Sequence, residues 1–174
     1  MFYGIIVGII VLAVALDQVV KYLVVRNIPL GGCAPVLDGI VHLTYTQNKG
    51  AAFSAFWGQR WMFLVIFLIF GLVLVWMLKK KYPLPKFEYY CLAAIFGGGL
   101  GNAIDRCIHG YVVDMIAVDF FQVPMPSFNG GLHFNWQPFA VFNVADCFIT
   151  CGVVLLMAHL IFFNKEFWKD GKKA

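Results

Sequence analysis

Four long apolar segments constrain the fold of this chain more than any other feature. A helix needs about 20 mostly apolar residues to cross the hydrocarbon core of a bilayer. The segments that meet this requirement run over about 4–25, 61–78, 89–106 and 139–163. They predict an α-helical polytopic membrane protein with four transmembrane helices, built as a single integral membrane domain over residues 1–174.

Composition and charge support the same class. The chain is 61% hydrophobic and only 13% charged, whereas soluble domains are about half apolar and a quarter charged. Eight of the 13 basic residues lie in two clusters, within 79–86 and 165–173. Clustered lysines are typical of cytoplasmic loops, so we expect both termini inside and the loops over about 26–60 and 107–138 outside. The same distribution argues against nucleic acid as a partner.

The first outer loop contains a stretch that is typical of a strand. Residues 40–46 are rich in β-branched and aromatic side chains, and glycine and proline precede them. We therefore expect a small β-sheet on the outer membrane surface.

Polar side chains inside the predicted spans are unusual, because burying them in a bilayer is costly. The polar side chains lie in the half of each span that is predicted to face outward. The inner half of the spans carries no polar side chain except His159. This asymmetry predicts one site that opens outward. Asp17 and Lys21 are spaced for a helix salt bridge that stabilises the fold. The other polar side chains in the outer half of the spans are Asn102, Asp105, Arg106, Asn143 and Asp146.

Asp146 has no basic residue within one turn on its own helix, about 10 Å below the outer end of a span that begins at Phe139. Asp114 follows the third span and can fold back to the membrane surface. Two carboxylates in one site do not both ionise readily, so one retains a proton. Such a pair can activate water as a base and protonate a leaving amine as an acid. The residues alone make Asp114 and Asp146 the candidate catalytic pair.

Other chemistry has less support in the sequence. No serine, histidine or cysteine set offers a nucleophile, and no residues have metal-ligand spacing, so we expect neither a cofactor nor a metal. A small transporter or proton relay is the alternative function, because buried carboxylates serve those proteins too. A relay, however, needs polar groups at several depths.

Five motifs, in order, resemble those of the lipoprotein signal peptidases, the type II signal peptidases of bacteria. Together with the four-span pattern, the resemblance covers essentially the whole chain. The motifs are Asp17-Gln18 with Lys21; Asn48-Lys49-Gly50-Ala51-Ala52-Phe53-Ser54; Gly101-Asn102 with Asp105-Arg106; Val112-Val113-Asp114; and Phe142-Asn143-Val144-Ala145-Asp146.

The resemblance implies an aspartic endopeptidase without metal in the bacterial inner membrane, among membrane phospholipids and with its active site facing outward. Its substrate is a prolipoprotein, cut just before a cysteine that carries diacylglycerol. The resemblance makes Asp114 and Asp146 the catalytic pair. It assigns binding or supporting positions to Asn48, Gly50, Asn102, Arg106, Asn143, Asp17 and Lys21. The stretch 119–138 is longer than usual for the family, which affects the outer lid.

Overall fold

The computed structural model describes residues 1–37, 40–50, 60–118 and 139–163. Within this part of the chain, four long helices and four short strands follow one another. In chain order they are α1 (Phe2–Asn27), β1 (Cys33–Leu37), β2 (Val41–Asn48), α2 (Arg60–Lys79), α3 (Lys86–Ile108), β3 (Val112–Val118), β4 (Phe139–Phe142) and α4 (Val144–Phe162). The predicted outer stretch 119–138 and the basic cluster beyond residue 163 lie outside the described residues.

Three of the described helices are long and apolar enough to cross a membrane: Phe2–Asn27, Trp61–Lys79 and Val144–Phe162. Many large apolar side chains on their outer faces are exposed, among them Val11, Leu72 and Val154, as expected of surfaces that meet lipid. The membrane class is therefore confirmed. The third predicted span corresponds to α3, which is less apolar because it carries Glu88, Asp105 and Arg106.

Helix α3 is the centre of the helical bundle and packs against α1, α2 and α4. Small residues allow this close approach. A Cβ atom at Gly97 would lie 2.8 Å from the Ala13 Cβ atom, and one at Gly98 would collide with the Ala145 carbonyl oxygen. The glycines of α3 are thus packing residues, as is common between membrane helices.

The strands form one antiparallel sheet in the order β1-β2-β3-β4. The strand predicted over residues 40–46 is confirmed as β2. The sheet packs on the C-terminal end of α1, where Val24, Tyr45, Val113 and Met115 share an apolar core. This packing places β3 directly beside the end of the helical bundle.

One sequence-based boundary was wrong. The predicted span 139–163 begins with strand β4, which pairs with β3 through Ile116 and Phe142. The helix α4 starts only at Val144, after the cap residue Asn143. A short apolar run fits a strand and a buried helix equally well, and here the pairing with β3 decides for the strand.

Candidate active site

The sheet and the start of α4 bring the two aspartates of the predicted catalytic pair into one hydrogen-bonded network. Asp114 lies in the middle of β3 and is only 3% exposed. Asp146 lies in the first turn of α4 and is half-buried. The predicted depth of Asp146, about 10 Å below the outer end of its helix, was wrong because α4 starts at Val144 rather than Phe139.

Two asparagines link these carboxylates. The Asn143 Nδ2 atom donates to Asp114 Oδ1 over 2.7 Å and to Asn102 Oδ1 over 3.1 Å. Asn102 Nδ2 in turn donates to Asp146 Oδ1 over 2.9 Å. Asn102 in α3 and Asn143 at the start of α4 thus bond to each other and hold both acidic side chains.

The position of Asp146 follows from a capping box at the start of α4. The Asn143 side chain accepts the Asp146 backbone N–H over 3.0 Å, and Asp146 Oδ2 accepts the Asn143 N–H over 3.1 Å. These bonds satisfy backbone donors that a helix start otherwise leaves unpaired. The helix N-terminus also favours a negatively charged side chain at this place.

Asn48 and Arg106 complete the network on the other side. Asn48 Nδ2 donates to Asp114 Oδ2 over 2.9 Å, and its Oδ1 atom accepts the Gly50 N–H over 2.9 Å. Arg106 Nη2 donates to the Gly50 carbonyl oxygen over 3.2 Å, and the guanidinium carbon lies 4.6 Å from the centre of the Phe63 ring. Arg106 thereby ties α3 to the end of β2 while its charge faces Asp114 and Asp146.

The predicted salt bridge between Asp17 and Lys21 is present, with 2.8 Å between Asp17 Oδ2 and Lys21 Nζ. Lys21 also lies 2.9 Å from Asp105 Oδ2 and donates to Asn102 Oδ1 over 3.0 Å. The sequence did not predict that Asp105 pairs with Lys21. Asn102 and Asp105 are three residues apart and share one face of α3, which allows Lys21 to reach both.

The surroundings of Asp114 favour its protonated form. Burial raises the pKa of its carboxyl to about 6, and the negative charge of Asp146 adds to the rise. The hydrogen bonds from Asn48 and Asn143 and the charge of Lys21 act in the opposite direction and lower this pKa. Asp114 is therefore suited to keep a proton at mildly acidic pH.

The prediction that the inner half of each span carries no polar group except His159 was wrong for α3. Glu88, near the start of α3, is 1% exposed, and its Oε1 atom lies 3.1 Å from His159 Nδ1. Glu88 was missed because it lies one residue before the predicted third span. The pair is far from the candidate site, since α3 rises about 21 Å between Glu88 and Asn102.

Within the described ranges, no group of three or more His, Cys, Asp or Glu side chains could hold a metal ion. The site is instead made of carboxylates, amides and one guanidinium group. These groups can bind a peptide backbone and transfer protons.

Solved structures define the class of protein to which this fold and site belong. A bacterial membrane enzyme solved by the in meso method at 2.3 Å superposes with a TM-score of 0.76 at 30% identity, covering 94% of this chain and 91% of that one. A second, solved by the same method at 1.9 Å, gives a TM-score of 0.75 at 30% identity, covering 92% of this chain and 95% of that one. The chain thus has the fold of a membrane enzyme.

The chain belongs to the signal peptidase II family, whose family model, described as signal peptidase (SPase) II, matches residues 9–162. Lipoprotein signal peptidases of Streptococcus pyogenes serotypes M2 and M1 are 41% identical over 160 residues, covering 92% of this chain and 90% of theirs. The resemblance inferred from five motifs is therefore confirmed, and the protein is a protease by family.

Proposed function

We propose that this protein is an aspartic endopeptidase that removes the signal peptide from diacylglyceryl-modified prolipoproteins just before the lipidated cysteine. The observation that carries the proposal is the shared bridge of Asn143 and Asn102, which join the carboxyl groups of Asp114 and Asp146. The curated relatives are named lipoprotein signal peptidases, and their substrate class supplies the rest of the proposal.

The chemistry assigns a different task to each aspartate. The Asp146 carboxylate takes a proton from water, whose oxygen attacks the scissile carbonyl carbon, while protonated Asp114 donates its proton to the carbonyl oxygen. Asp146 then gives its proton to the leaving nitrogen as the C–N bond breaks, and the hydroxyl proton returns to Asp114 as the new carboxyl group forms. Water is consumed and both carboxyl groups regain their starting states, as general acid–base catalysis requires.

The remaining polar groups are suited to hold the substrate and the pair. Arg106 carries donors that match peptide carbonyl oxygens, and it stands beside Gly50 at the end of β2. Asn48 fixes Asp114 from the strand side. We assign Asn48, Gly50, Asn102, Arg106 and Asn143 to binding or shaping the site. Asp17 and Lys21 support it from below.

The proposed arrangement in the bacterial inner membrane has four spans, with α3 enclosed by the three more apolar helices. Both termini and the loop over 79–86 then face the cytoplasm, and the sheet and the site face outward. Phospholipid surrounds the exposed apolar faces of α1, α2 and α4. The whole chain, 1–174, forms one membrane domain.

Labelling of single cysteines tests this topology. Cys107 is exposed at the end of α3, and Lys80 lies just after α2 on the opposite side of the bundle. A variant that retains only Cys107 should react with an impermeant thiol reagent added to intact cells, whereas Lys80→Cys in a cysteine-free background should react only after lysis. Reaction of both positions in intact cells would contradict the topology.

The raised pKa of Asp114 predicts a pH dependence. Since the pair needs one proton, kcat/KM should fall as pH rises through an apparent pKa of about 6. Asn48→Ala removes a hydrogen bond that lowers the pKa of Asp114, so the alkaline limb should move to higher pH. The measurement is kcat/KM over about five pH units around that value. A limb that stays in place or moves to lower pH would contradict this role of Asn48.

The alternative of a proton relay lacks support along α3. From Tyr89 to Gly101 that helix carries no charged or amide side chain, so a gap of about 20 Å separates the Glu88–His159 pair from the site. Protons would have no chain of polar side chains to follow there.

Cleavage by the purified protein tests the proposed function. A diacylglyceryl-modified preprotein in detergent micelles should release its signal peptide at the same rate with and without EDTA. Reagents directed at serine or cysteine should leave the rate unchanged. Loss of cleavage with EDTA would overturn the mechanism of two aspartates.

A further inference from the structure

A buried ionic cluster lies directly beneath the candidate site. Asp17, Lys21 and Asp105 are each at most 4% exposed, and Lys21 joins the two carboxylates at 2.8 and 2.9 Å. Gln18 Nε2 lies 3.2 Å from Asp17 Oδ2, 3.1 Å from Asp105 Oδ1 and 3.2 Å from the Gly101 carbonyl oxygen. A buried ion pair is weak evidence of stabilisation, because desolvation offsets much of the attraction. The cluster therefore needs an additional explanation.

The remaining contacts of the cluster supply one. Asp17 Oδ1 accepts the backbone N–H of Ala145 over 2.9 Å. Asp105 Oδ2 accepts the backbone N–H of Val113 over 3.0 Å. Ala145 is the residue immediately before Asp146, and Val113 is the residue immediately before Asp114. Each buried carboxylate thus holds the backbone N–H of the residue that precedes one member of the candidate pair.

Lys21 adds a third connection to the same pair. Asn102 Oδ1 accepts from both Lys21 Nζ and Asn143 Nδ2. With its oxygen between two donors, the Asn102 amide must turn its Nδ2 atom towards Asp146, which it contacts over 2.9 Å. The charge of Lys21 therefore fixes which end of this amide faces the carboxylate.

We propose that Asp105 and Asp17 are positioning residues of the peptidase, which fix the backbone carrying Asp114 and Asp146, with Lys21 holding the two at a set separation. The inference rests on the proposed function. None of these three side chains is accessible to a substrate, so they act through the aspartates. A displacement of about 1 Å in a catalytic site can cost about 10²-fold in rate.

Two substitutions of Asp105 separate positioning from ion pairing. Asp105→Asn can keep an oxygen at the place of Oδ2, which accepts from Lys21 and from the Val113 N–H. It removes the charge and the Oδ1 acceptor for Gln18. Asp105→Glu keeps the charge, and the flexible Lys21 can follow it, but the added methylene group moves the acceptor away from the Val113 N–H.

The positioning role predicts that Asp105→Glu lowers kcat about 10²-fold with KM unchanged, and that Asp105→Asn lowers kcat less. A role in ion pairing alone predicts the reverse order, with the Glu variant the more active. That reverse order, or equal kcat in both variants, would overturn the proposal. If the Asp105→Glu variant does not fold, hydrogen exchange at the Val113 amide of the Asp105→Asn variant tests the positioning role instead. Protection in Asp105→Asn equal to wild type supports the role, and faster exchange overturns it.

Two controls complete the experiment. Glu88→Gln also neutralises a buried carboxylate, but one about 21 Å from Asn102 along α3, and it should leave kcat unchanged. The Asp114→Asn variant gives the cleavage rate expected of an inactive site. If wild-type protein does not cleave the lipidated preprotein, the proposed function fails. If it cleaves and Asp114→Asn does not, the order of the Asp105 variants tests the positioning role alone.

Discussion

Replacing either candidate aspartate by asparagine should reduce turnover to near background while the protein still folds and inserts. Asp114→Asn removes the group that gives a proton to the carbonyl oxygen, and Asp146→Asn removes the group that activates water. An amide can do neither, and loss of general acid–base catalysis costs about 10²–10⁴-fold. Because the two groups act as one unit, the double variant should be no slower than either single variant.

Initial rates with a lipidated preprotein measure this effect, and thermal unfolding in detergent shows whether each variant is folded. Asparagine has nearly the shape of aspartate and retains an acceptor for Asn143 at both positions. It loses the acceptor for Asn48 at position 114 and for Asn102 at position 146, so the unfolding midpoints should fall only slightly. Glu88→Gln is the matched control, since it neutralises a buried carboxylate away from the site. Near-normal turnover in Asp114→Asn or Asp146→Asn would contradict the assigned chemistry.

A preprotein whose cysteine carries no lipid should be a very poor substrate. Burial of acyl chains contributes about 0.8 kcal/mol per CH₂ group, so burial of four groups amounts to about 3 kcal/mol. That difference corresponds to a loss of about 10²-fold in kcat/KM. The apolar outer faces of the helices offer the environment in which such chains are buried.

Three matched peptides separate recognition of the lipid from simple concentration in the micelle. The first carries diacylglycerol on the cysteine, the second carries none, and the third carries its acyl chains at the N-terminus, away from the scissile bond. We expect the third peptide to be cleaved far more slowly than the first. Equal kcat/KM for all three would favour a general intramembrane protease over a lipoprotein-specific one.

The helices were predictable from the sequence where an apolar run is long and uninterrupted. The first two predicted spans differ from α1 and α2 by no more than two residues at either end. The predicted start of the fourth span was wrong because the apolar run 139–142 fits a strand and a helix equally well. Asn143 and Asp146, three residues apart, had the spacing of a capping box and would have placed the start of α4 correctly.

The members of the site were predictable, but their contacts were not. Asp114, Asp146 and the two asparagines are recognisable as polar residues among apolar ones. The pairing of Lys21 with Asp105 depends on how α1 packs against α3, at a sequence separation that periodicity cannot address. The hydrogen bonds to Ala145 and Val113 are equally hidden, because backbone donors leave no mark in a sequence.

The most direct test of the central claim is mass spectrometry of the products formed by the purified protein from a lipidated preprotein in ¹⁸O-labelled water. We expect two products, a mature chain that begins at the lipidated cysteine and a signal peptide with one ¹⁸O atom in its new carboxyl group after a single turnover. Asp114→Asn should yield neither product. Cleavage at another bond, or undiminished cleavage by Asp114→Asn, would contradict the account.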